Sequence, residues 1–343
     1  MKATAVVLLL FSAFGLGAWA QSSLKTNIDV VQVDVVSIYF TVRNSKGQLV
    51  TDLQKEAFKV FENGQQQTIS YFARHTDVPT TLGVLLDVST SLSRTLGLEA
   101  DAASHFFTSV MRPNDYGFLI SYASRIQTLQ GSVDDPAKLA EQAQTIRIGG
   151  RPDATSAHVD MPTMQRFPVP DPFPTSAPDL ARLRVARLYD AVGFSVDRFL
   201  RQEVGRKALV IVALADDAKS ESTLRDALRS LKEADVIAYV LEVEHGARAA
   251  RDDCDVRHIF RNEDENRLAR LAVETGGRVI KVEGFEKMQA AFDQISAELH
   301  QQYSLGYAPA DRNWNGDFRK VLIQSAKGYK ISARDGYFAA RRN

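Results

Sequence analysis

At 343 residues the chain is long enough to bury a full core and to hold more than one structural unit. Its hydrophobic content of 45% and charged content of 24% are those of an ordinary globular protein. Forty-two basic side chains balance 42 acidic ones, so no global field draws nucleic acid or an anionic membrane.

Residues 1–20 read as a secretory signal peptide. Lys2 supplies the positive start, an apolar stretch follows, and Ala18-Trp19-Ala20 is a small-x-small cleavage site. A transmembrane anchor is the competing reading, but the apolar run is short for a span and no stop-transfer charges follow it. Cleavage after Ala20 is therefore expected, and the absence of a cysteine there argues against a lipid anchor. No other segment is long and apolar enough to span a bilayer. The mature protein is expected outside the cytoplasm, periplasmic or secreted. The single cysteine, Cys254, cannot form an internal disulfide, and its acidic neighbours argue against a nucleophilic thiol.

Residues 21–78 form a β-rich region. "VDVVSIYFTV" has strand-like density of β-branched and aromatic residues, and "FKVFENGQQQTISYF" is two alternating runs around Asn63-Gly64, a pair suited to a type I′ hairpin turn.

Over residues 79–300 the pattern becomes strand and helix in alternation. "TLGVLLD", "YGFLISY", "LVIVALA", "VIAYVLEV" and "RVIKV" read as buried strands. Between them, Leu224, Leu228 and Leu231 share one helix face, with Ser220 or Ser222 placed to cap its start. "EDENRLARLAVETGG" is a helix stopped by Gly276-Gly277, and Met288, Phe292, Ile295 and Leu299 stripe another. The pattern predicts an α/β fold, an open and mostly parallel sheet covered on both sides. Residues 148–180 interrupt it with seven of the chain's 11 prolines, so a long extended loop is expected there, either a disordered surface insertion or a loop that binds a partner or covers a site. Residues 301–343 turn strand-like again and are placed to pair with the first β-rich region.

"TTLGVLLDVSTSLSRTLG" carries the chemistry. Asp87 ends a buried strand at the sheet edge where open α/β folds bind ligands, and Ser89 and Ser91 follow at alternate positions. One carboxylate and two hydroxyls suit Mg²⁺ or a similar hard divalent ion; the same residues also suit a helix cap. The six histidines show no metal-ligand spacing, and there is no G-x-S-x-G elbow, P-loop or H-E-x-x-H motif. A non-enzymatic protein is expected, with a hydrolase assembled from distant segments as the remote alternative.

"DVSTS" after an apolar strand resembles the D-x-S-x-S signature of the von Willebrand factor A domain and its metal-ion-dependent adhesion site. "VVQVDVV", "GQLVTDLQKEAFKVFENGQQQTISYF", "RLYDAV", "GRKALVIV", "LAVETGG" and "FDQISAELHQQYSLGYAP" extend the similarity to the secreted bacterial VWFA-related acidobacterial-domain proteins. The resemblance implies a six-strand, doubly wound A domain with β-rich flanks and a binding or adhesion role, in which a metal accepts a carboxylate from a protein partner. It also implies a threonine before the "LYDA" helix and an aspartate after the fourth main strand. Ala186 stands at the first position, and Ala213 and Leu214 at the second. Asp216 or Asp217 are further candidate ligands, and Thr155 or Thr175 candidate replacements for the threonine. Divalent binding is expected to be weak, roughly millimolar, because Mg²⁺ relies on well-placed carboxylates. The runner-up is a structural or assembly component of the cell envelope with a vestigial metal site.

Overall fold

The computed structural model describes residues 35–74, 78–88, 96–146, 186–213, 220–243, 266–325 and 327–341. The first β-rich region supplies β1 (Val36–Arg43), β2 (Phe58–Glu62), β3 (Gln65–Gln67) and β4 (Ile69–Arg74). Asn63 and Gly64 both take positive φ, 47° and 85°, and turn β2 back onto β3, as the type I′ hairpin requires.

The next strand is β5 (Thr80–Asp87), every residue of it buried. Helix α1 (Leu96–Val110) leads to β6 (Tyr116–Tyr122), β7 (Ile126–Val133) and α2 (Pro136–Ala143). After the proline-rich segment come α3 (Leu188–Ser195), β8 (Arg206–Ala213), α4 (Leu224–Glu233) and β9 (Val236–Val243). Residues 266–273 are helical, followed by β10 (Val279–Val282) and α5 (Met288–His300). The chain ends in β11 (Tyr303–Tyr307), β12 (Phe318–Ser325), β13 (Lys330–Ala333) and β14 (Gly336–Phe338). Among the described residues no helix is long and apolar enough to cross a membrane.

The six-strand sheet has the order β10-β9-β8-β5-β6-β7. All its pairings are parallel except β6 with β7, so it is the mostly parallel, doubly wound sheet expected. Alternate residues of β5 face opposite layers. Leu82, Val84, Leu86 and Val88 pack with α1 and α5, while Leu85 packs with α3 and α4. Met288, Phe292, Ile295 and Leu299 form the predicted α5 stripe, and Phe292 meets Phe106 of α1 at 4.7 Å between ring centres. Strand β7, which completes the six, has no apolar run to announce it: it is a half-exposed edge strand. At the helix predicted to stop on glycine, Gly276 takes φ 93° and the Gly277 amide donates to the Ala272 carbonyl, as expected of a C-terminal stop.

The cap of α4 differs from expectation. Thr223, not Ser220 or Ser222, accepts from the Asp226 amide through its hydroxyl, and the Asp226 carboxylate accepts in turn from the Thr223 amide. Ser220 is used elsewhere, at the start of α3.

Strands from the two ends of the chain interleave. β11 lies between β1 and β4, and β12 between β14 and β2, giving two four-strand sheets that share a core built on Phe40, Phe58, Val60, Tyr303, Leu305 and Ile323. This packing follows from alternation: β12 buries Arg319, Val321 and Ile323 and exposes Lys320, Leu322 and Gln324.

Candidate functional site

The connection from β5 to β6 runs over the α1 layer, and the return to β8 runs through α3 on the opposite layer. The topological switch point therefore falls at the carboxyl end of β5, where Asp87 is the last residue. Three strand ends are tied around it. The Val88 amide donates to the Tyr122 carbonyl at 2.9 Å, and Tyr122, the β6 partner of Asp87, donates its hydroxyl to the Val212 carbonyl of β8 at 2.8 Å. Tyr122 thus reaches past the end of β5 and ties β6 to β8.

Asp87 itself is buried, with 1% of its surface exposed. Ser89, Ser91, Asp216 and Asp217 lie outside the described residues, as do Ala215, Leu214, Thr155, Thr175 and Cys254. Ala186 is described. It is buried in the apolar cluster of the α3 layer and supplies no oxygen where the resemblance implies a threonine.

Beside it, the entry to α3 is closed by polar contacts from the segment before α4. The Ser220 hydroxyl accepts from the Tyr189 and Asp190 amides at 3.0 and 3.2 Å. The Asp190 carboxylate accepts from the Glu221 and Ser222 amides and from Arg187 at 2.8 to 3.0 Å. Partial burial works against the Asp190 charge, but these bonds outweigh it and hold the carboxyl below its ordinary range. The spent carboxylate fastens the loop and is not a free ligand.

Two groups at this edge were not read from the sequence. Glu99, in the first turn of α1, is fully buried, and neither carboxylate oxygen has a hydrogen-bond partner among the described residues. Burial, and after it the charge of Asp87, pushes its carboxyl well above the ordinary range. Ser121 is the β6 neighbour of Leu86, is 1% exposed, and its hydroxyl is likewise unpartnered. Since Leu119 and Ala123 face the α1 layer, Ser121 faces it too. The signal for Glu99 is its spacing: it precedes Ala102, Ala103, Phe106 and Val110 on the buried stripe of α1, where an apolar side chain belongs.

Among the described residues no group of three or more His, Cys, Asp and Glu side chains gathers around one point. Among the described residues the acidic side chains near the edge, Asp87 and Glu99, offer oxygen, the donor type of a hard divalent cation rather than a thiophilic one. The carboxylate oxygens of Glu99 and the Ser121 hydroxyl are buried on the α1 layer without partners among the described residues. Of the described histidines, His300 contacts the Val110 carbonyl at 2.8 Å, at the end of α1 opposite Glu99, and His105 is half exposed beside Asp293.

No protein-family model matches the chain, and no curated protein matches it. Solved structures similar to it include proximal thread matrix protein 1 from the mussel byssus, at 10% identity and a TM-score of 0.45 over 66% of this chain and 49% of that one. The chain thus spans about half the length of the byssal protein, one structure of which has a zinc-occupied MIDAS motif. A von Willebrand factor type A protein from Catenulispora acidiphila is similar at 10% identity and a TM-score of 0.44, over 84% of this chain and 75% of that one. The protein BatB from Bacteroides thetaiotaomicron is similar at 14% identity and 0.41, over 64% of this chain and 98% of that one. With overlap this loose, the doubly wound architecture rests on strand order and register.

Proposed function

We propose that the chain is an exported, non-enzymatic binding protein whose six-strand unit is a von Willebrand factor A-type domain. It presents the carboxyl edge of its sheet to a protein partner, and a divalent ion held by Asp87, Ser89 and Ser91 receives a carboxylate from that partner. The observation that carries this reading is Asp87: a buried carboxylate at the switch point of a doubly wound sheet, followed at once by the two serines of "DVSTS". Mg²⁺ or Mn²⁺ suits this all-oxygen set. The signal peptide supports export to the periplasm or medium.

Thermal melts of the chain in EDTA and in millimolar Mn²⁺, beside Asp87→Ala, test it. Free ligand at 100 times its Kd adds about 2.7 kcal/mol, a shift of a few degrees. A shift in wild type that vanishes in the variant supports the reading; equal melts in EDTA and Mn²⁺ remove the ion from it. A second reading, an envelope structural component with a vestigial site, is favoured by Ala186, whose buried methyl stands where a ligand oxygen would be needed.

A further inference from the structure

We propose that the outer face of β12, where it meets α4 and the helix over residues 266–273, is a docking groove for an extended acidic segment of a protein partner. On the side that faces the groove, that segment alternates carboxylates with apolar side chains. The inference goes beyond the reading of Asp87 and uses neither it nor the serines that follow it.

Alternation places Phe318, Lys320 and Leu322 on the outer face of β12, opposite its core residues. Phe318 pairs across the sheet with Phe338 of β14, and Leu322 with Phe61 of β2. Two apolar pairs thus lie about 13 Å apart along the strand, with Lys320 between them. A hollow of about 630 Å³ opens at Leu322 and Phe61, and one of about 830 Å³ at Phe318 and Phe338. Arg229 lies over the Phe338 ring at 5.6 Å and Lys232 over Phe318 at 4.9 Å, and the two rings meet edge to face at 5.1 Å. Arg225, Arg229, Lys232 and Arg270 line the larger hollow against Asp226 and Glu274 alone, a surplus of two positive charges in a chain whose total is balanced. Both carboxylates are already engaged, Asp226 in the α4 cap and Glu274 by Lys232 and Arg270. The arginines are aimed but not consumed. Arg229 gives its Nε to Glu233 and Arg270 its Nε to Glu274, each at 2.8 Å, which fixes the guanidinium and leaves its terminal amino groups toward a second acceptor. Arg225, one turn before Arg229, has no ion pair or hydrogen bond among the described residues. Cations held this way lose little freedom on binding, and a carboxylate is an acceptor that the guanidinium fork fits. A densely charged polyanion suits the groove less, because Asp226 and Glu274 repel it and the ring surfaces go unused. An extended segment with apolar, acidic and apolar residues at alternate positions matches Phe318, Lys320 and Leu322 at the same repeat, and flanking carboxylates reach the arginines.

The test is fluorescence anisotropy of a labelled peptide, Glu-Ser-Leu-Ser-Glu-Ser-Leu-Ser-Glu, titrated with the full chain in EDTA. Two further peptides replace every Glu by Gln or every Leu by Ser. The proteins are wild type, Arg225→Glu, Leu322→Glu and Asp87→Ala, each also melted. Saturable binding to wild type is expected, weakened about tenfold or more by Arg225→Glu, by Leu322→Glu and by either change to the peptide, the scale of one charge-assisted or apolar contact. Arg225→Glu is the decisive variant: it breaks no ion pair, and an acidic residue in a helix's first turn favours the fold, so its melt should match or exceed wild type. Asp87→Ala should bind the peptide as wild type does. No binding by wild type, or equal binding by Arg225→Glu, overturns the groove. A Ser-for-Leu peptide that binds as tightly marks a surface for any polyanion and overturns it as well. Binding lost in Asp87→Ala but kept in Arg225→Glu moves the contact to the carboxyl edge and leaves the reading of Asp87 standing.

Discussion

At the scale of single residues, the polar group on which most depends lies in the β flank. Glu62 and Arg319 are both buried and pair at 3.1 Å, while Tyr307 and Tyr337 each donate to the second Glu62 oxygen at 2.8 Å. Arg319 also donates to the Asp311 and Asn313 carbonyls, so side chains of β2, β11, β12 and β14 and the loop before β12 are joined through this pair. Removing one partner of such a pair strands the other, and Glu62→Ala is expected to cost about 3–5 kcal/mol in urea unfolding. The same corner sets an alkaline limit. Burial first, then the Glu62 charge and hydrogen bond, push the Tyr307 and Tyr337 hydroxyls above their ordinary value; burial and the Glu298 charge do so for Tyr239. A raised folded pKa means that the folded state keeps protons the unfolded chain gives up. Its stabilising contribution is complete below about pH 10 and falls as pH rises through the folded values. The urea midpoint should therefore fall above about pH 10. In an absorbance titration at 295 nm these tyrosines should ionise only as circular dichroism is lost; smooth ionisation of all ten tyrosines before unfolding would refute it.

At the scale of elements, α4 shows how local chemistry decides a boundary. Its capping box joins Thr223 and Asp226, so Thr223→Ala should cost about 1 kcal/mol by thermal or urea melt, whereas Ser222→Ala, whose side chain does not cap α4, should leave that boundary intact. The sequence offers Ser220, Ser222 and Thr223 within four residues, and only the backbone path selects among them. Ser220 goes to α3 because the segment before α4 packs against that helix start, a long-range relation that no local pattern contains. Buried strands were legible because β5, β8 and β9 are apolar on both faces; β7 was not, because an edge strand carrying Gln127, Thr128 and Gln130 has too little apolar alternation. The site divides in the same way. Asp87 was legible from its place at the end of an apolar run. Glu99 was not, since an acidic residue in a helix's first turn reads as a favourable dipole contact until burial shows otherwise. Ser121 is a single small hydroxyl within a strand and gives no local signal at all.

At the scale of the molecule, the β flanks decide how the two functional readings can be separated. Deleting residues 301–343 removes β11 from between β1 and β4, β13 from the other side of β1, and both β12 and β14 from the side of β2. It also removes the Tyr303 hydroxyl, which accepts from the Leu53 amide and donates to the Val50 carbonyl. Strands β1 to β4 would keep apolar faces with nothing to cover them, and short unpartnered hairpins are at best marginal in water. The deletion should therefore expose residues 35–74 to limited proteolysis within minutes while the same segment in the full chain resists. Protection of that segment in the truncated chain would show that the first flank folds alone. For the same reason an interaction lost on truncation says little about which surface makes it. Leu322 offers a cleaner change: it is 54% exposed on the outer face of β12, so Leu322→Glu alters the flank surface and leaves the core residues Val321 and Ile323 in place. Surface changes of this kind typically shift stability by less than about 0.5 kcal/mol, and the melt of Leu322→Glu should match wild type. Partner capture then discriminates. Binding lost in Asp87→Ala and kept in Leu322→Glu places the contact at the carboxyl edge of the six-strand sheet, where the cation would act. The reverse pattern places it on the flank, and the acidic edge becomes a relic that the fold carries without using.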